Sequence, residues 1–473
     1  MFKYAFAIFA SVCFTFYTSA QEKIPVIKLK QDHELFVRAL KEAHAGLHRY
    51  ASAETMDSLF ATTEKAIDHD MTSEEFYKLM MPVVAKIKCG HTKWYPENKP
   101  DDMYAFHSMD IFPLRLYFVN KKAFFLYSYD STISILPGTE IMSIDGISIP
   151  SIIEELHAFM TIDGNVQSAV YSELNRSFNG YYATFINTAT SFEVVYKEGD
   201  HKITTNLSSV TFDQIKDRDA LEQKPYQMPL RLVYPAKDVA LLTIESFYVD
   251  KKEQKYYPFI DSVFQELKSK RIDHLIIDVR NNEGGEENWG GYLFSYLTDK
   301  KFRYYDRITM AQKEKFSFKQ YAWLPPHFGL MHLFMKKRNN EIRFVLQKYL
   351  RTHSPKKNAF KGSVYVLTNG SSFSVTSELC SVIQSQRKAT FVGEETGGAY
   401  QGNNSGVFAV LTLPNTKLTL GIPLMAFYTR VLDNGYKNRG VLPDYEVKLS
   451  VYDVFLKRDA VLEKTLQLIQ TEN

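Results

Sequence analysis

The chain has 473 residues, too many for one ordinary domain. It is 45% hydrophobic, 23% charged and 14% aromatic, the make-up of a globular protein rather than a disordered or fibrous one. A formal net charge of +3 is close to balance and gives no reason to expect a nucleic-acid partner.

Residues 1–20, MFKYAFAIFASVCFTFYTSA, combine Lys3, an apolar run and a small-residue end at Thr18-Ser19-Ala20. This reads as a secretory signal peptide cleaved between Ala20 and Gln21, since the run is short for a membrane anchor. Val12 stands before Cys13 where a lipoprotein signal needs a small residue. The mature chain is therefore expected to be exported, periplasmic or extracellular, with no integral membrane segment. Cys89 and Cys380 remain after cleavage; an oxidising compartment would let them bridge, but sequence does not bring them together. No Cys/His cluster has metal-ligand spacing, and neither a metal nor a cofactor is expected.

From Asp32 to Ile87 apolar residues recur at helical spacing, as in Leu35, Phe36, Leu40, Ala43 and Leu47. Residues 21–95 are read as an N-terminal helical domain. It ends in Lys88-Cys89-Gly90-His91-Thr92, where glycine stops the helix and leaves His91 on a loop. Over residues 96–210 the period shortens to two. Strands are expected at 111–119 and 123–127, then the turn-strand-turn run from Ile135 to Gly146, a helix from Ile152, and a hairpin over 191–207. Residues 211–235 are polar at first and read as a linker. From 236 to 473 strands alternate with helices, which implies an α/β core with a largely parallel sheet and ligands at the carboxyl ends of its strands. The Lys- and Arg-rich segment 336–357 reads as a solvated helix face, or else as a lid or a contact for an anionic surface. A single final helix is expected over 451–470.

One stretch of the core stands out. Val364–Leu367 is a short strand that breaks at Asn369-Gly370, and a Ser-rich turn leads into a helix marked by Val375, Leu379, Val382 and Ile383. A serine at a sharp strand-to-helix turn projects its hydroxyl beyond the sheet, beside the amides of the first helical turn. The plainer alternative is that these serines only cap the helix. A second strand end carries Gly284-Gly285, and glycine there lets the backbone approach a substrate carbonyl. Acyl transfer needs a nucleophile, a base and amides for the oxyanion. Ser374, His91 and the glycine pair are residues of those types.

Four stretches resemble the tail-specific (C-terminal-processing) serine protease family, in the branch closer to the tricorn protease core. They are Cys89-Gly90-His91-Thr92, the PDZ-like Leu136–Gly146, the run from Ile277 through Asp278-Val279-Arg280-Asn281-Asn282 to Gly284-Gly285, and Thr368–Gly398, in the family's order. The resemblance implies an α/β core of crotonase-like (Clp-protease-type) spiral architecture beside the helical domain and a PDZ-like β-rich domain. It also implies hydrolysis of peptide or unfolded protein substrates through an acyl-enzyme. By position Ser374 matches the nucleophile, Val375 gives its N–H to the oxyanion hole, and Gly284 or Gly285 is the second donor. Ser371, Ser372 and Ser377 become turn and capping residues, and Glu378 a structural acceptor.

The chain also departs from that pattern. Ala399 stands where the lysine-dependent branch carries its base, and Lys388 falls ahead of the turn and out of register, so no Ser-Lys dyad is recognisable. His91 is then the expected base, competent at neutral pH if it stays near its ordinary pKa. Lys437 stands where the tricorn-like pattern carries a glutamate, which leaves Glu394, Glu395, Asn403 or no residue to orient His91. The rival reading is a non-catalytic ligand- or peptide-binding protein on the same scaffold. The missing lysine and glutamate favour it, and the retained Ser374, glycine pair and His91 oppose it.

Overall fold

The computed structural model describes residues 22–95, 109–222, 225–311, 315–386, 389–433, 435–436 and 438–472. The expected signal peptide, the start of the β-rich region, Lys388 and Lys437 lie outside the described residues. Three helices come first: α1 (Val26–Ala43), α2 (Ala53–Ala66) and α3 (Ser73–Ile87). Their starts are encoded locally. Ser52 accepts from the Thr55 N–H, and Thr72 and Glu75 form a reciprocal capping box.

The apolar faces of these helices do not close on themselves. Phe36, Ala39, Leu40, Met80, Val83 and Ile87 are buried in one cluster with the strands and helices of the α/β core. Buried Asp32 accepts from the Asn415 N–H and the Thr416 N–H and hydroxyl, 383–384 residues away in sequence. Strand Lys93–Tyr95 then pairs with Thr419–Thr429 of the core. The segment expected to stand apart as a helical domain is thus welded to the core, and this weld sets the position of the loop carrying His91.

The central sheet runs Tyr445–Glu446, Thr390–Gly393, Ser363–Thr368, His274–Asp278, Val239–Ile244 and Leu230–Ala236. All its pairings are parallel except the last. Its inner strands are continuous apolar runs such as VALLTI because both faces are covered. Asp278 lies opposite Leu367 and Thr368 opposite Gly393, so the loops after these three strands leave from one edge. The Ser-rich turn and the glycine pair therefore meet.

A second, antiparallel sheet includes Asn404–Thr412, Thr419–Thr429 and Tyr305–Met310. It is extended by a hairpin of Met335–Arg338 and Glu341–Phe344. The basic segment is therefore not a helix face. Asn339 and Asn340 both take positive φ, 46° and 60°, which is what a two-residue hairpin turn requires.

A third sheet, with its own core, contains Leu114–Val119, Lys122–Ser128, Glu140–Ile144, Ser191–Glu198 and His201–Ser208. Helices Ile149–His157 and Gln167–Phe185 cover it. The edge at Leu114–Val119 is already occupied. Asn175 accepts from the Phe118 N–H and donates to the Phe118 carbonyl, and Asn179 donates to the Phe112 and Leu114 carbonyls.

Two further segments differ from expectation. Within the polar stretch read as a linker, Phe212–Leu221 is a helix started by a Thr211/Gln214 capping box, with Ile215 buried against Ile111, Tyr129 and Val210. The final helix is two, Val451–Phe455 and Ala460–Glu472, separated at Lys457 by a left-handed φ of 54°. Cys89 and Cys380 are both buried and free. No helix among the described residues is long and apolar enough to cross a membrane.

Candidate active site

The serines of the turn divide by what they bond. Ser372 Oγ donates to the Val279 carbonyl, and Ser377 Oγ donates to the Ser372 carbonyl while accepting from the Gly398 N–H. Ser371 Oγ meets Ser172 Oγ. These three fasten the turn. Ser374 sits at the N-cap of helix Val375–Ser385 with φ 57° and ψ −126°, and its side chain caps nothing. A side chain in that backbone region costs about 1–3 kcal/mol, and the surrounding bonds must hold it there. Its hydroxyl lies 3.1 Å from His91 Nε2, across 283 residues of sequence.

His91 is held from several sides. Lys88 ends α3 in the left-handed region at φ 55°, turning the chain into the loop. The Thr92 hydroxyl is 2.8 Å from His44 Nε2, and His44 Nδ1 accepts from the Gly46 N–H. His44 must therefore carry its proton on Nε2 and donate it to Thr92. The His91 ring stacks on Phe373, centroids 4.5 Å apart. Gly90 is required by this packing, because a Cβ there would fall 2.7 Å from the Phe373 ring.

The imidazole is not near its ordinary pKa. Burial, with a smaller repulsion from Lys93, pushes His91 down to about 3. The residue as a whole is partly exposed, but Nδ1 is sealed from solvent and has no hydrogen-bond partner among the described residues. His91 is thus neutral at neutral pH, the state that accepts a proton, although a weaker base than an exposed imidazole.

Gly284 presses against Ser374. A Cβ on it would lie 2.7 Å from the Ser374 Cβ and 3.1 Å from the Val375 nitrogen, and its φ of +104° disfavours any side chain. Its own N–H is taken by Asn282 Oδ1 at 2.9 Å, while Asn282 Nδ2 anchors to the Ile244 carbonyl. The N–H groups of Gly285 and Val375 have no acceptor among the described residues. Of the two glycines, Gly285 keeps a free donor, and the start of the helix offers the free Val375 amide.

None of the three residues left open as orienting groups bonds His91. Glu395 pairs with Arg439 and the Gly440 N–H, and Glu394 takes the Gly370 N–H. Asn403 donates to Glu378 Oε1. Glu378 also accepts from the Tyr305 hydroxyl at 2.6 Å, and burial pushes its carboxyl up to about 8. The carboxylate that does approach is Asp163, which sequence reasoning passed over because Ile162-Asp163-Gly164 looks like any turn.

Cys89 Sγ, one His91 ring nitrogen and one Asp163 oxygen lie within 4.8 Å of one another, a spacing that can hold a metal ion. Burial pushes the Cys89 thiol up to about 11. Nearby, a cavity of about 210 Å³ is lined by Ala399, Tyr50, Tyr428, Arg49 and Arg439 among others.

Residues 238–447, which hold Ser374, Val375 and the glycine pair, match the model of peptidase family S41. Over that stretch, under half of the chain, the protein is similar to peptidase family S41. No curated protein matches the chain by sequence. Among solved structures, mature CPAF complexed with lactacystin has a TM-score of 0.64 at 13% identity, with 94% of this chain and 98% of that one covered. Mature CPAF alone gives 0.61 at 13% identity over 92% and 95%. The tricorn protease gives 0.39 at 12% identity, over 94% of this chain and 37% of its own. With CPAF the likeness is one of fold, and it extends beyond the S41 match to nearly the whole chain. His91 and Asp163 both lie outside the S41 match, so the matched stretch meets them only through the fold.

Proposed function

We propose that this protein is an exported serine endopeptidase that cleaves peptide bonds through an acyl-enzyme on Ser374. The observation that carries this reading is the 3.1 Å approach of His91 Nε2 to a strained Ser374 hydroxyl that caps nothing. His91 takes the hydroxyl proton as Ser374 Oγ attacks the scissile carbonyl carbon. The tetrahedral oxyanion accepts from the N–H groups of Val375 and Gly285, and each such donor is worth about 3 kcal/mol to the transition state. The C–N bond breaks, the amine leaves with the proton from His91, and water activated by the same imidazole hydrolyses the ester.

In the same reading the core is a crotonase-like spiral. The region from 109 to 210 is a PDZ-like domain, whose edge strand His201–Ser208 offers a peptide end a site for strand addition. A purely binding protein has no use for a strained, uncapped serine beside two free amides. Purified Ser374→Ala is expected to keep its melting temperature and lose all turnover of a mixed peptide library and all labelling by a serine-directed phosphonate. Labelling that persists in Ser374→Ala removes the assignment. A wild-type protein that turns over no peptide leaves the binding reading in its place.

A further inference from the structure

We propose that Asp163 is the positioning carboxylate of this site, holding the His91 Nδ1 proton and stabilising the imidazolium that forms when Ser374 gives up its proton. The inference rests on the peptidase reading above and adds a residue that the S41 match does not contain.

Asp163 is 1% exposed and comes from the short connection between helices Ile149–His157 and Gln167–Phe185. Its Oδ1 accepts from the Gly90 N–H at 2.8 Å, the residue just before His91, and the Ala399 N–H also bonds the carboxylate. Its Oδ2 has no partner among the described residues. On the imidazole, Nε2 is engaged by Ser374 and Nδ1 is the buried, unpartnered nitrogen. Carboxylate and ring approach within 4.8 Å. The two side chains that come this close each carry a buried, unmet polar atom, Oδ2 on one and Nδ1 on the other, and a side-chain rotation or one water would join them. Leaving either unmet costs about 1–3 kcal/mol. Catalytic hydrogen bonds are commonly long in ligand-free proteins and tighten on substrate.

The charges around the pair agree with the role. Burial raises the Asp163 carboxyl to about 6, with the Gly90 and Ala399 amides, Arg49 and Lys93 opposing the rise. Cys89 and Tyr50 also face it, and burial pushes both upward, so they stay neutral. At neutral pH Asp163 is therefore ionised beside a neutral imidazole, the state in which it can receive the Nδ1 proton's hydrogen bond. The other candidate acids are committed elsewhere, Glu395 to Arg439 and Glu378 to Tyr305 and Asn403.

The test is Asp163→Asn, which keeps an oxygen for the Gly90 N–H but places an NH2 where Oδ2 stands. That NH2 donates to Nδ1 and drives the imidazole proton to Nε2, the wrong nitrogen for accepting from Ser374. The expected result is a fall in kcat of roughly 10²–10⁴-fold with KM and melting temperature nearly unchanged. In the inert Ser374→Ala background, proton NMR should show a low-field Nδ1–H signal that is absent from the Ser374→Ala/Asp163→Asn double variant. Should Asp163→Asn fail to fold, the same signal in Ser374→Ala must vanish as pH falls through about 6. Retention of kcat within about threefold by folded Asp163→Asn overturns the proposal. So does a Ser374→Ala protein with no low-field signal at any pH. If the wild type turns over no peptide and the signal still depends on Asp163, the pairing stands and the peptidase reading falls.

Discussion

Ser374 holds a backbone conformation that a helix cap does not need, so its strain is a local cost retained beside the His91 contact. Ser374→Gly should therefore be about 1 kcal/mol more stable than Ser374→Ala in urea melts while both are inactive; equal stabilities would deny the strain. Gly284→Ala should cut turnover by more than tenfold and lower stability by about 1–3 kcal/mol, because its methyl would meet Ser374 at 2.7 Å. Measured kinetics and melts on one sample check both halves. Acid should weaken the protein through its buried histidines. His44 titrates at about 3 when folded and near 6.5 when unfolded, so between those values the unfolded chain binds a proton that the folded chain refuses. Stability is then lost as pH falls below 6.5, by about 2 kcal/mol at pH 5 from this residue, and His44→Gln should flatten that slope in thermal melts. At this scale the sequence made Ser374, His91 and the glycines visible, since each belongs to a short contiguous pattern. The depressed pKa of His91, the division of labour between Gly284 and Gly285, and Asp163 arise from packing between distant segments, which no local pattern records.

Elements are legible where a local signal and the packing agree. The capping box at Thr72 and the apolar spacing of α3 mark that helix from sequence alone, and so do the unbroken apolar runs of the parallel strands. Where the reading missed, the signal was often present but outweighed. Thr211-x-x-Gln214 announces a helix inside a segment whose polarity suggested a linker. Asn339-Asn340 announces a hairpin inside a segment whose charge suggested a helix face. Asn339→Ala and Asn340→Ala should each cost about 1 kcal/mol in chemical denaturation, because alanine tolerates positive φ poorly, whereas Asn340→Gly should be neutral or better. Asn175 is a different kind of miss. It bonds both the N–H and the carbonyl of Phe118 from a helix, as a neighbouring strand would, on the Leu114–Val119 edge. That role depends on where the helix docks.

One large apolar cluster joins α1–α3 to the α/β core. A chain lacking residues 22–95 should accordingly lose cooperative unfolding along with activity, as read by a broadened melt and exposed apolar surface. A sharp wild-type-like melt of that truncated chain would show the helices to be a dispensable appendage. Changes of period along the sequence mark a helical, a β-rich and a mixed region. The merging of the first into the third leaves no such mark, because Asp32 and Thr416 meet only once the fold closes.

The 283 residues between His91 and Ser374 also impose an order in time. A chain made from its N-terminus carries the imidazole early, but no hydroxyl to activate until strand Ser363–Thr368 and the turn after it exist. The late second sheet and α1 must then dock before the two meet. A half-made, half-unfolded or nicked copy therefore holds one reactive group without the other. Under the proposed mechanism, a chain whose fold is incomplete is therefore expected to be inert.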